Sequence, residues 1–150
     1  MTRYFEDFAV GERFSTRGVT VSEGMILDFG LVYDPQPFHI DAEAARATIY
    51  GGLIASGFQT LALGFRLVVD TGLFNGSAMG SPGFDELCWL KPVRPGDTLH
   101  VDLEVVDKKP SASKPDRGII RFAYRIMNQR QEVVLTMLAM HLLKRPGAMA

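Results

Sequence analysis

Alternation is clearest in the second half of the chain. Leu99, Val101, Leu103 and Val105 alternate with His100, Asp102 and Glu104, and Ile120, Phe122, Tyr124 and Ile126 alternate with Arg121, Ala123 and Arg125. A period of two predicts half-buried strands. Phe84 to Leu90 is strand-like, and Val133 to Leu143 is apolar almost throughout, the pattern of a central strand covered on both faces. Pro95-Gly96-Asp97 and Asn128-Gln129-Arg130 supply turns. The polar segment 108–118, with two prolines and a glycine, reads as a hairpin loop rather than a domain boundary.

The first half reads differently. Phe14 to Val21 predicts one short strand. Ser22 is a candidate N-cap for a helix over 22–33, whose apolar residues Met25, Ile26, Phe29 and Val32 recur near helical spacing. Pro35 and Pro37 end it, because proline disfavours helix in the preceding residue. Asp41 is a second N-cap candidate. From Ala55 to Val69 apolar residues fall on nearly every face, and a helix of that kind belongs inside the protein. The order of strand, helices, buried helix and four strands predicts an α+β fold, with a long helix on an antiparallel sheet, as one domain over 1–150.

Composition narrows the function. The chain has 150 residues, 47% hydrophobic and 22% charged, with net charge -1. There is no basic excess to track a phosphate backbone, so nucleic acid is not an expected partner. The single cysteine, Cys88, excludes an intrachain disulfide and a cysteine-based zinc site; beside Trp89 in an apolar run it reads as a buried thiol. No apolar run is long enough to span a bilayer, and Met1 to Asp7 carries acids where a secretory signal would be apolar. A soluble, cytoplasmic protein without membrane contact is expected.

Two segments could carry chemistry. Of three histidines, His100 reads as solvated and His141 as satisfied by a local hydrogen bond. His39 follows Tyr33-Asp34-Pro35-Gln36-Pro37-Phe38, where two prolines stiffen the backbone between Asp34 and His39. A carboxylate and an imidazole in one rigid loop can bind and polarise a water. On spacing alone a structural cap is the better-supported reading. Further on, Tyr50-Gly51-Gly52-Leu53-Ile54-Ala55-Ser56-Gly57 leads into the long helix, whose first-turn N–H groups could stabilise a developing oxyanion. The same glycines could instead only make a turn.

Taken together these segments resemble the MaoC-like dehydratases, the (R)-specific enoyl-CoA hydratases. Asp34-Pro35-Gln36-Pro37-Phe38-His39 is similar to their Asp-x-Asn-Pro-x-His motif. Leu53-Ile54-Ala55-Ser56-Gly57-Phe58 resembles the entry to their central helix, and Lys91-Pro92-Val93-Arg94-Pro95-Gly96-Asp97-Thr98-Leu99 resembles their Pro-Val-x-x-Gly-Asp-Thr-Leu segment. Phe5-Glu6-Asp7-Phe8-Ala9-Val10-Gly11 and Asn128-Gln129 also fit, so the likeness runs over nearly the whole chain. Two departures stand out: Gln36 replaces the usual asparagine, and Ser56 replaces a histidine present in many members.

The resemblance implies a single hotdog domain and reversible hydration of a trans-2-enoyl thioester. Asp34 and His39 would activate water, and the Gly57 N–H would hold the thioester oxygen. Gln36 and Ser56 would bind around them, with Leu53, Phe58 and Leu61 along the acyl chain. Lys91, Arg94 and Arg117 are candidates for coenzyme A phosphates, although surface charge explains them equally. No metal or cofactor is implied. The expected partner is an acyl-CoA or acyl-carrier-protein thioester, and the expected assembly a homodimer or dimer of dimers. The alternatives are a hotdog that binds thioesters without turnover and, with less support, a thioesterase, since no Asp or Glu occurs from Ala55 to Val69.

Overall fold

The computed structural model describes residues 1–146; positions 147–150 of the expected domain lie outside the described residues. A single 3-10 turn, Phe5–Asp7, precedes strands β1 (Arg13–Ser15) and β2 (Val19–Thr20). Helices α1 (Glu23–Tyr33), α2 (Pro37–Ile40), α3 (Ala42–Arg46) and α4 (Gly57–Asp70) follow, then strands β3 (Phe84–Trp89), β4 (Thr98–Pro110), β5 (Arg117–Met127) and β6 (Val133–Lys144). The strands form an antiparallel sheet in the order β1-β4-β5-β6-β3, with β2 also paired to β4.

The alternating residues do what their period predicts. Leu99, Val101, Leu103 and Val105 of β4 and Ile120, Phe122, Tyr124 and Ile126 of β5 are buried. They form one core with Leu135, Met137 and Leu143 of β6 and Leu67 and Val68 of α4. Helix α4 rides very close to this sheet. A side chain at Gly64 would collide with Ile126, so glycine is what permits the approach.

Capping follows local chemistry. Ser22 Oγ accepts the Met25 N–H at 3.1 Å, and Asp41 Oδ1 accepts the N–H groups of Glu43 and Ala44 at 3.1 and 3.0 Å. Pro37 opens α2 at a position where its missing N–H costs nothing. The two turns at one end of the sheet are stitched together: Gln129 donates to Asp97 Oδ1 at 2.9 Å and accepts from the Thr98 N–H at 3.0 Å.

Five expectations are corrected. The strand over 14–21 is two short strands, because Thr16 turns its hydroxyl onto the Val101 N–H at 2.9 Å and interrupts the ladder. The loop over 108–118 is much shorter: β4 runs to Pro110 and β5 starts at Arg117, with edge pairing reaching Pro110 and Gly118. Strand β6 is buried on one face and only half-buried on the other, since α4 covers a single side of the sheet. Helix α4 is not enclosed: Phe58, Ala62, Phe65 and Val69 form an exposed stripe along it. Cys88 is likewise exposed, because β3 is the edge strand and its side chain there has no covering layer.

Candidate active site

The chain leaves α1 at Asp34, whose backbone is no longer helical (φ -152, ψ 72) and whose N–H still closes on Gly30. Pro35 and Pro37 then carry it into α2, which delivers His39 one turn later, buried at 4% exposure. The Ile54 carbonyl lies 2.7 Å from His39 Nδ1. A carbonyl only accepts, so Nδ1 carries hydrogen and Nε2 is the free, proton-exchanging nitrogen. Nε2 lies 3.2 Å from Asp34 Oδ2. The double-proline bend therefore brings the acid and the imidazole together.

Asp34 is gripped from two further directions. Gln36 Nε2 donates to Oδ1 at 2.7 Å, and Ser56 Oγ donates to Oδ2 at 2.7 Å. Burial opposes the charged carboxylate, yet the hydrogen bonds from Gln36 and Ser56, together with His39 alongside, outweigh it. The carboxyl is held below its ordinary range and is ionised at neutral pH. Both departures from the family motif are thus placed as donors to the same carboxylate.

Ser56 is also the N-cap of α4, with its Oγ 3.3 Å from the Phe58 N–H. Gly57 is the first helical residue, and its N–H has no acceptor among the described residues. It borders a cleft of about 480 Å³ that also contains Asp34, Gln36 and His39. The cleft walls are largely apolar: Phe38, Tyr50, Ile54, Ala55, Phe58, Trp89, Leu90, Pro92 and Val93 line it.

Not every expected residue reaches this cleft. Asp34, Gln36, His39, Gly57 and Phe58 line it, and Ser56 touches it only through Asp34. Leu53 is buried but does not line the cleft, and Leu61 packs partly buried against the core. Lys91 lines the cleft but is ion-paired with Glu132, and Arg117 is paired with Asp116 at 2.7 Å. Arg94 has no carboxylate partner among the described residues. His100 is half-buried rather than fully solvated, whereas His141 does find a local bond, to the Tyr124 hydroxyl at 2.9 Å.

Two contributors escaped the sequence reading. The Ile54 carbonyl that orients His39 is a backbone group and leaves no residue-type signal. Trp89 had one: it is the sole tryptophan, two residues before the Lys91-Pro92-Val93 segment. No group of three or more His, Cys, Asp or Glu among the described residues is placed to hold a metal ion. No helix among them is long and apolar enough to cross a membrane.

Comparison with known proteins identifies the family and the fold. The model of the MaoC like domain matches residues 7–120. A MaoC-like dehydratase from Rhodospirillum rubrum superposes with a TM-score of 0.86 at 42% identity, covering 96% of this chain and 99% of that one. The uncharacterized protein YdeM of Bacillus subtilis (strain 168) is 33% identical over 126 residues, which span 84% of this chain and 88% of YdeM. An (R)-specific enoyl-CoA hydratase from Rhodospirillum rubrum is 30% identical over 113 residues, 71% of this chain and 72% of that protein. The long helix on an antiparallel sheet is the hotdog fold. By the family model over residues 7–120 and the match to a solved MaoC-like dehydratase, the chain belongs to the MaoC-like domain family.

Proposed function

We propose that this protein adds water across the double bond of a trans-2-enoyl thioester, or removes it from the 3-hydroxyacyl thioester. The observation that carries the reading is the placement of Asp34 Oδ2, His39 Nε2 and the unengaged Gly57 N–H around one cleft. Water is a poor nucleophile, and C3 of the substrate is a weak electrophile. A water held by the Asp34–His39 pair loses a proton to it as its oxygen bonds to C3. The double-bond electrons move onto the thioester oxygen, where the Gly57 N–H holds the charge. The pair then returns a proton to C2.

Magnitudes are adequate. General acid–base help contributes about 100–10,000-fold, and one well-aimed oxyanion donor about 100–1000-fold. The apolar walls suit an acyl chain, with Phe58 beside it. The carrier is coenzyme A or an acyl carrier protein. Family membership with an (R)-specific enoyl-CoA hydratase among the relatives supports the same class. The partner surface is a second copy of the chain. The exposed stripe Phe58, Ala62, Phe65 and Val69 lies on α4, and the open β3 edge leaves Phe84 and Trp89 exposed. Both are features a soluble monomer rarely leaves uncovered.

Incubation with crotonyl-CoA tests the function. Loss of enoyl absorbance without free thiol is hydration. Free thiol would mean hydrolysis, and affinity without turnover would mean a binding protein; either overturns the proposal. Hydrolysis has little support, because the one acid on α4 is Asp70 at its far end, where it pairs with Arg17 and Arg66.

A further inference from the structure

Trp89 closes β3 on the edge of the sheet and forms one wall of the cleft. Three contacts tie it to the start of α4. Its indole N–H donates to the Gly57 carbonyl at 2.8 Å. Its ring fills the space where a Gly57 side chain would stand: a Cβ there would lie 2.5 Å from the indole nitrogen and 2.6 Å from the adjoining ring carbon. The same ring meets Phe58 edge-on, with centroids 5.9 Å apart. Within one subunit Trp89 is 47% exposed, and these three contacts are what hold its ring there.

The first turn of a helix is its least constrained part, since its N–H groups have no intrahelical partner. Here the cap is stretched as well. Ser56 Oγ reaches the Phe58 N–H at 3.3 Å while donating to Asp34 at 2.7 Å. Glycine at the first helical position adds backbone freedom at the one residue whose N–H must stay aimed into the cleft. A hydrogen bond from a rigid indole, anchored on a strand, removes that freedom at the Gly57 carbonyl. Gly57 and Trp89 are therefore a matched pair: the ring approaches only because there is no Cβ, and the indole bond in turn restrains the glycine carbonyl.

We propose that Trp89 is a positioning residue. It clamps the first turn of α4 so that the Gly57 N–H keeps its aim, and its indole face bounds the space taken by the acyl thioester. The catalytic benefit rests on the hydratase reading above; the clamp itself does not.

The test compares the wild type with Trp89→Phe, which keeps a ring and loses the N–H donor. Amide hydrogen exchange is read over residues 58–61, with β4 to β6 as the internal reference. Losing one neutral hydrogen bond should speed exchange there about two- to tenfold and leave the strands unchanged. With crotonyl-CoA, kcat should fall about tenfold, a fraction of what losing an oxyanion donor outright costs, while KM stays within about twofold. The pH profile should not move, because Asp34 and His39 are untouched. Trp89 is the chain's sole tryptophan, so its emission in the wild type reports the site directly. A saturable change on adding butyryl-CoA, which cannot be hydrated, is expected.

Unchanged exchange at 58–61 overturns the clamp, and a silent emission overturns the wall. In an active wild type, an unchanged kcat in Trp89→Phe overturns the catalytic benefit. If the wild type does not hydrate crotonyl-CoA, the functional reading fails by itself, and exchange still decides on the clamp.

Discussion

Two histidines of this chain are almost equally buried and do opposite things. His39 is 4% exposed and His141 6%. His39 borders a cleft, is oriented by the Ile54 carbonyl and faces the Asp34 carboxylate. His141 lies under α4 among aromatic rings, stacked on Phe74 at 4.4 Å and edge-on to Phe122 at 5.2 Å, with only the Tyr124 hydroxyl as polar company. Burial pushes His141 down to about 4, and it lifts the Tyr124 phenol above its usual range. A buried imidazole becomes a site only where charge compensates it and solvent reaches it.

The sharpest way to break this contrast is to remove the charged partner. Asp34→Asn and His39→Ala should each lower kcat/KM for crotonyl-CoA by about 100–10,000-fold, measured by enoyl absorbance. Retained turnover in both would erase the distinction between the two histidines.

The next effect belongs to His141 and concerns stability. Its folded value is about 4 against an ordinary 6.5, so between those values the unfolded chain takes up a proton that the folded chain refuses. Stability is therefore full above 6.5 and is lost as pH falls toward 4, by about 3 kcal/mol in total. Urea titrations at pH 7 and pH 4.5 measure it. His141→Phe should flatten that loss, even though leaving the Tyr124 hydroxyl without its partner costs about 1–3 kcal/mol at neutral pH. The depressed Asp34 carboxyl adds a separate loss at lower pH, because stability from a lowered carboxylate is present above its ordinary 3.8 and is lost as pH falls below it.

The smallest effect sharpens the comparison. Ser56→Ala removes one donor to Asp34 and the cap of α4. Stability should fall about 1 kcal/mol by thermal melting. The acidic limb of the pH–rate profile should move upward, because a hydrogen bond to the charged form is gone. A limb that stays in place would show that Ser56 acts only as a cap.

Much of this was legible along the chain. Ser22 and Asp41 cap the helices where local chemistry puts them, and the alternations of β4 and β5 name the buried face residue by residue. The bend carrying Asp34 and His39 was readable because prolines act on their immediate neighbours. Leu53 and Leu61 were misplaced in the cleft because apolar character does not say which apolar space a side chain enters. Cys88 was misplaced because edge or centre is a property of strand order.

The sequence by itself therefore determined most of the elements, the Ser22 and Asp41 caps, the inward faces of β4 and β5 and the acid–imidazole bend, since all of these depend on residues within a few positions of one another. Tertiary structure alone decided that the Ile54 carbonyl orients His39, that Ser56 reaches back to Asp34, that α4 keeps one apolar face open and that Trp89 sits over Gly57. Those contacts join segments 15 to 32 residues apart in the chain. Their geometry is set by how closely a helix packs on a sheet, which no local pattern encodes.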